Sequence, residues 1–227
     1  MQRLIKQYLI YSISAVVLAG CGHERQGTAI PEGQGIDSVE AVQEEPNRKG
    51  EPTMPDTSRF EEDFTDFLHA LQSGDTAALN GFVSAQTGFW LIEQPGALPA
   101  YTHYTAVQDV RRSYQQLPFT SISRDMGRCD LLPRQVLPEF DCGAMDGTAS
   151  GYTEDGCFYT SNTAGFRNTD MWQYASLTDQ QAEQVQELQQ QVAITVLHTA
   201  SYFRFHFGYR KGRWQLLFAD LRIPCSA

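Results

Sequence analysis

The sequence predicts an α+β fold in which helices come first and a curved antiparallel sheet, built largely from hairpins, packs on them. Three observations predict it. Phe60, Phe64, Phe67, Leu68 and Leu71 recur at helical spacing and form one apolar stripe. Phe203, Phe205, Phe207 and Tyr209 alternate with Tyr202, Arg204, His206 and Gly208, the period of a half-buried strand. Lys211-Gly212 then supplies a two-residue turn, after which Trp214, Leu216 and Phe218 resume the alternation. A helix stripe and a sheet face of this kind bury their apolar sides by stacking as layers.

Taken in order, the first helix opens at Ser58, where Ser58 and Glu61 have the spacing of a capping box. Gly74 ends it, and Asp75 caps a short second helix carrying Leu79, Phe82 and Val83. Gly88 to Glu93 reads as a strand closed by the Pro95-Gly96 turn. Thr105 to Gln116, with Val107, Val110 and Tyr114 on one side, reads as another helix. The chain is then loop-rich to about residue 176, with strands expected near Phe119 to Ser123 and Cys157 to Thr160. Leu177 to Gln191 is a glutamine-rich helix started by Thr178 or Asp179, with Val185 and Leu188 on its apolar side. Val192 to His198 has the β-branched character of a strand. In the hairpin, Tyr209 is expected to face Trp214, Phe207 Leu216, Phe205 Phe218 and Phe203 Asp220. That register puts the whole aromatic row on one sheet face, against the amino-terminal helices. His206 then faces Leu217 on the opposite side from Asp220.

Residues 1–20 have a different character. Arg3 and Lys6 precede an apolar run from Tyr8 to Val17, which Leu18-Ala19-Gly20 closes before Cys21. A charged start, a short apolar core and small residues at a cut are the anatomy of a secretory signal peptide. The run falls short of the roughly 20 apolar residues that a spanning helix needs. Leu18 to Cys21 resembles the lipobox of bacterial lipoproteins. That resemblance implies cleavage before Cys21, diacylation of that cysteine with palmitate-like chains, acylation of the new amino terminus as well, and stable attachment to a membrane through them. Gly22 in the next position implies an outer-membrane address in the cell envelope. Residues 21–57 then read as a lipidated, disordered tether. From Gly22 to Thr57 there are eight acidic and three basic residues and no sustained apolar period, so too little surface is available to offset chain entropy. About 36 flexible residues span roughly 30–35 Å. The folded domain is residues 58–227.

The chain carries 17 basic and 27 acidic residues, net −10, and losing Arg3 and Lys6 with the signal leaves net −12. Such a charge opposes non-specific binding to nucleic acid or anionic lipid. With Cys21 assigned to lipid, Cys129, Cys142, Cys157 and Cys225 remain. In an oxidising compartment they read as two disulfides, with three pairings that sequence does not separate. Structural zinc would need cysteines two to four residues apart, and these lie 12 or more residues from one another. Asp141, Asp146, Glu154 and Asp155 offer carboxylates for calcium in a Gly-rich loop, but without the spacing of an EF-hand loop. No cofactor or metal is called for.

The Phe-rich helix pair, Gly88-Phe-Trp-Leu-Ile-Glu-Gln-Pro-Gly-Ala-Leu-Pro99, and Gly212-Arg-Trp-Gln-Leu-Leu-Phe-Ala-Asp220 followed by Pro224-Cys225-Ser-Ala227 look like uncharacterised lipoproteins of Bacteroidota. These in turn resemble the NTF2-like (cystatin-like) superfamily, whose members curl a sheet into a cone around a long helix. The resemblance covers roughly residues 59–227. It implies that residues 125–176, with three of the cysteines, are an insertion. The superfamily holds enzymes, binding modules and inert scaffolds, so it does not assign a function.

Several enzymes of that superfamily resemble a His–Asp dyad in the cone. Asp220 is the acid candidate, and His103 and His198 are the histidine candidates, because the hairpin register turns His206 away. Against that stands an Asp220 at the strand's end, solvated or paired with Arg222. His23 and His69 carry no catalytic pattern, and no Gly-x-Ser-x-Gly elbow, His-Glu-x-x-His pair or phosphate loop occurs. The expected function is a non-catalytic ligand- or partner-binding envelope lipoprotein, with a glycan or envelope protein contacting aromatics such as Tyr101, Tyr104, Trp172 and Tyr174. The alternatives are a hydrolase or lyase near Asp220, and a plain structural spacer.

Overall fold

A computed structural model describes residues 57–145 and 149–225. The secretory signature, Cys21, His23 and residues 21–56 of the expected tether lie outside the described residues, as does Asp146. The phenylalanine stripe forms helix α1, Phe60–Ser73, burying Phe60, Phe64, Phe67, Leu68, Ala70 and Leu71. It starts two residues later than Ser58, after a tight 3-10 turn, with Arg59 at the N-cap and no side-chain cap bond. The Glu61 carboxylate in its first turn accepts the Tyr159 hydroxyl at 2.7 Å. Gly74, at φ 72°, closes the helix in the left-handed region that glycine adopts without strain. Asp75 caps α2, Thr76–Asn80, by accepting the Ala78 amide at 2.9 Å.

Seven strands follow: β1 Phe89–Glu93, β2 Ala100–Tyr104, β3 Leu131–Pro133, β4 Cys157–Thr160, β5 Ile194–His198, β6 Arg204–Arg210 and β7 Arg213–Asp220. They form one sheet in the order β2-β1-β7-β6-β5-β4-β3. Most neighbours are antiparallel, as expected, but β1 runs parallel to β7 and β3 parallel to β4, so the sheet is mixed. Short helices α3 (Ser123–Met126) and α4 (Ala164–Arg167) interrupt the strands. Helix α5, Asp179–Gln190, opens on a reciprocal Thr178–Gln181 capping box.

Two apolar cores cover the sheet, one on each face. On the first face α1 packs on Phe203, Phe205, Phe207, Trp214 and Leu216. On the second, Val185 and Leu188 of α5 pack with Trp90, Ile92, Leu217 and Phe218. The aromatic row is therefore divided between the faces. The cause is a β-bulge: Phe207 pairs with Leu216 and His206 with Phe218, leaving Leu217 without a partner on β6. Leu217 and Phe218 both enter the second core. Gly208 makes room for this, since a Cβ there would come within 2.7 Å of both the Leu217 side chain and the Gln191 carbonyl oxygen. Beyond the bulge Asp220 faces Arg204, not Phe203, and shares a sheet face with His206. That corrects the expected separation of His206 from Asp220.

Residues 105–116 are not a helix but a 3-10 turn and an irregular loop, because side chains claim the backbone groups a helix would need. The Asn80 side chain accepts the Val107 amide at 2.8 Å, the Tyr104 hydroxyl takes the Arg111 amide, and Glu93 takes the Ser113 amide. The strand expected at residues 119–123 is a 3-10 turn leading into α3, which lets Phe119 and Ile122, three apart, both enter the first core.

The disulfides pair Cys129 with Cys157 and Cys142 with Cys225. The second closes a separation of 83 residues between two exposed positions, so replacing both with serine removes the cross-link without opening a cavity. The expected cost is about 2–4 kcal/mol, chiefly through a freer unfolded chain. Denaturant unfolding of the double variant checks it, and a cost near zero would mean the bridge is not formed in solution.

Candidate functional site

The second face of the sheet carries two polar rows. One runs Thr160, Thr195, His206 and Phe218 across β4 to β7. The next runs Leu197, Arg204, Asp220, Ile92 and Tyr101 across β5, β6, β7, β1 and β2. Above them α4 brings Phe166, whose ring stacks on the His206 imidazole with centroids 3.5 Å apart. A cavity of about 410 Å³ remains, lined by Val136, Leu137, Phe166 and Met171 on its apolar side and by Thr195, Arg204, His206, Asp220 and Arg222 on its polar side.

Asp220 is 2% exposed and gripped by Arg222, which donates from Nε at 2.8 Å, from Nη2 at 2.7 Å and from its backbone amide at 3.2 Å. Burial pushes the carboxyl pKa up, but the Arg222 bonds and the charges of Arg222 and Arg204 outweigh it, leaving the pKa below its ordinary value. Asp220 is thus a buried, ionised carboxylate with both oxygens engaged. It sits at the end of β7 paired with Arg222, but it is not solvated.

His206 is 1% exposed. Its Nδ1 lies 2.9 Å from the Thr195 hydroxyl, and its Nε2 is buried with no partner among the described residues. Burial lowers its pKa to about 3, only partly opposed by the Asp220 charge. The imidazole is therefore neutral at physiological pH, one ring nitrogen engaged and the other buried without a partner among the described residues. Arg204 donates to the Tyr152 hydroxyl at 2.8 Å and makes no ion pair among the described residues.

The other candidates lie elsewhere. His103, on β2, has Nε2 2.8 Å from the Thr87 carbonyl oxygen and stands beside Trp90. His198 closes the β5–β6 turn: its Nδ1 lies 2.7 Å from the Ser201 hydroxyl and also accepts the Ser201 amide, while that hydroxyl accepts the Phe203 amide. Burial lowers the His198 pKa, with an opposing hydrogen bond to the Arg128 backbone. A larger hollow of about 680 Å³ opens past this turn, but Glu93 on its wall is already held by Arg112 and the Ser113 amide. The carboxylates of the Gly-rich loop diverge: Asp141 caps Gly143, Glu154 pairs with Arg134 and Asp155 bonds Ser150. Of the aromatics expected at the surface, Tyr174 is exposed, whereas Tyr101 is buried and Trp172 packs against the second core.

Thr195, Arg204 and Phe166 were not singled out by sequence reasoning, and His206 was turned away. The available signal was Leu216-Leu217-Phe218, three apolar residues in succession where strict alternation requires a polar one. Comparison with protein-family models, with curated proteins and with solved structures finds no match to this chain. What the fold and site define is a mixed α+β domain with an open cavity, part apolar and part charged, on one face of its sheet.

Proposed function

We propose that this chain is a lipid-anchored lipoprotein of the bacterial envelope whose domain binds a small ligand in the cavity at His206 without converting it. The observation that carries the binding reading is the cavity itself, lined by His206, whose buried Nε2 has no partner among the described residues. A buried polar atom left unpaired costs about 1–3 kcal/mol, which a ligand offering a hydrogen bond offsets. The volume, about 410 Å³, lies in the range of small-molecule sites. The hydrolase or lyase alternative needs Asp220 as a proton carrier, and its engagement by Arg222 works against that role. Export and anchoring rest on the signal anatomy before Cys21 and on the two disulfides, which are compatible with a location outside the cytoplasm. Likeness to the NTF2-like superfamily rests on the helix-first order and on α1 packed over the hairpin. The mixed seven-strand sheet, covered on both faces, stands apart from a simple cone.

Two measurements test this. Screening small molecules against the full chain by NMR of its histidine rings is expected to find compounds that shift the His206 signals; a diverse set that leaves them unmoved sinks the binding reading. Cys21→Ser is expected to abolish incorporation of a labelled fatty acid and to move the protein from the membrane to the soluble fraction. Unchanged labelling overturns the anchor.

A further inference from the structure

The charges lining the His206 cavity are unbalanced in a chain that is acidic overall. Three charged side chains reach it: Arg204, Arg222 and Asp220. Asp220 and Arg222 cancel as a bidentate pair at 2.7 and 2.8 Å. Arg204 remains. Among the described residues it contacts the Tyr152 hydroxyl and, at 5.9 Å, the face of the same ring, and neither carries charge at neutral pH. A partly buried guanidinium with no carboxylate at ion-pair distance among the described residues stands out in a protein of net charge −10.

Two hydroxyls of the wall are already committed, and Asn162 and Thr169 are further uncharged polar residues on it. The Thr160 hydroxyl donates to the Gln135 carbonyl and the Thr163 hydroxyl to the Val192 carbonyl, both at 3.0 Å. Asn162 and Thr169 can serve a ligand of any charge, so the arginines decide: a cation would meet two of them. Opposite the charged wall, Val136, Leu137, Phe166 and Met171 supply an apolar one.

From this juxtaposition we infer that the cavity selects a small organic monoanion, a carboxylate on a compact apolar body, with Arg204 as its charge partner and the His206 ring on the wall beside it. Two arginines against one aspartate leave the wall one positive charge in excess, which matches one negative charge, and the planar fork of Arg204 fits a carboxylate's two oxygens. The apolar body lies against Phe166 and Met171. This inference rests on the reading of the cavity as a ligand site.

The test uses the full chain and three probes of one shape: benzoate, benzamide and benzylammonium, titrated at about pH 7 while the His206 ring is followed by NMR. Benzoate is expected to shift His206 and to bind at least about tenfold tighter than benzamide, the increment of a charge-assisted over a neutral hydrogen bond; benzylammonium is expected not to bind. Arg204→Gln is expected to bring benzoate and benzamide to similar affinity, and Arg204→Lys to keep a preference for benzoate. Should either variant fail to fold, the three-probe comparison on the unaltered chain still decides. All three probes binding equally, with His206 shifted, overturns the anion preference and leaves the cavity reading intact. No shift with any probe overturns the cavity reading as well.

Discussion

Asp220→Ala is expected to lower the free energy of unfolding by about 3–5 kcal/mol, the cost of leaving one charge of a buried pair without its partner. Arg222 donates three hydrogen bonds to this carboxylate, and its own side chain is only 21% exposed. The double variant Asp220→Ala/Arg222→Leu is expected to lose less than the sum of the two single variants, because no charge is then stranded. A single-variant cost below about 1 kcal/mol would class the pair with solvent-screened surface bridges and reject the buried arrangement. The pH dependence has a defined sign. The Asp220 pKa is lowered in the folded state, so its stabilisation is present above the unfolded value, about 3.9, and fades as pH falls through the folded one. His206 acts over a higher window. Its folded pKa is depressed to about 3, so between an unfolded value of about 6.5 and that point only the unfolded chain takes up the proton. Stability therefore declines first below about pH 6.5, through His206 and, because burial lowers its pKa as well, His198. The later loss, below about pH 4, is the part that Asp220→Ala removes.

Much of the fold was legible because it rests on local periodicity. The α1 stripe, the Gly74 stop, the Asp75 and Thr178 caps and the Lys211-Gly212 turn depend on neighbours a few residues away. What was not legible depends on distant partners. The 105–116 stretch has helical spacing, yet Asn80, Glu93 and Tyr104 draw its amides elsewhere. The parallel pairing of β1 with β7 joins strands more than a hundred residues apart, and no local pattern announces it. The site fell on the illegible side for one reason. Its assembly turns on a single unpaired residue, Leu217, and a strict period-2 count carried past that residue sends every later side chain to the wrong face. Asp220 was picked out as a polar group among aromatics, but its neighbours Arg204, His206 and Thr195 come together only once the bulge is known.

Phe207→Ala is expected to cost about 3–5 kcal/mol, the range for emptying a buried phenylalanine site that cannot collapse. Phe207 is 1% exposed, and its ring meets Phe60, Phe64 and Phe67 edge-on at centroid distances of 5.5, 6.0 and 5.5 Å. Contacts of that geometry contribute beyond area burial, so Phe67→Ala and Phe207→Ala are expected to couple, departing from additivity by about 0.5 kcal/mol or more. Phe205 and Phe218 make the sharper comparison. A regular hairpin would set them face to face on one side of the sheet, and their alanine substitutions would then couple as strongly. With the bulge, Phe205 belongs to the α1 core and Phe218 to the α5 core, and the two substitutions are expected to add within about 0.3–0.5 kcal/mol. Chemical denaturation of the four single variants and two double variants measures both cycles. Strong coupling between Phe205 and Phe218 would restore the unbulged register, return His206 to the face opposite Asp220, and dismantle the cavity on which the binding reading stands.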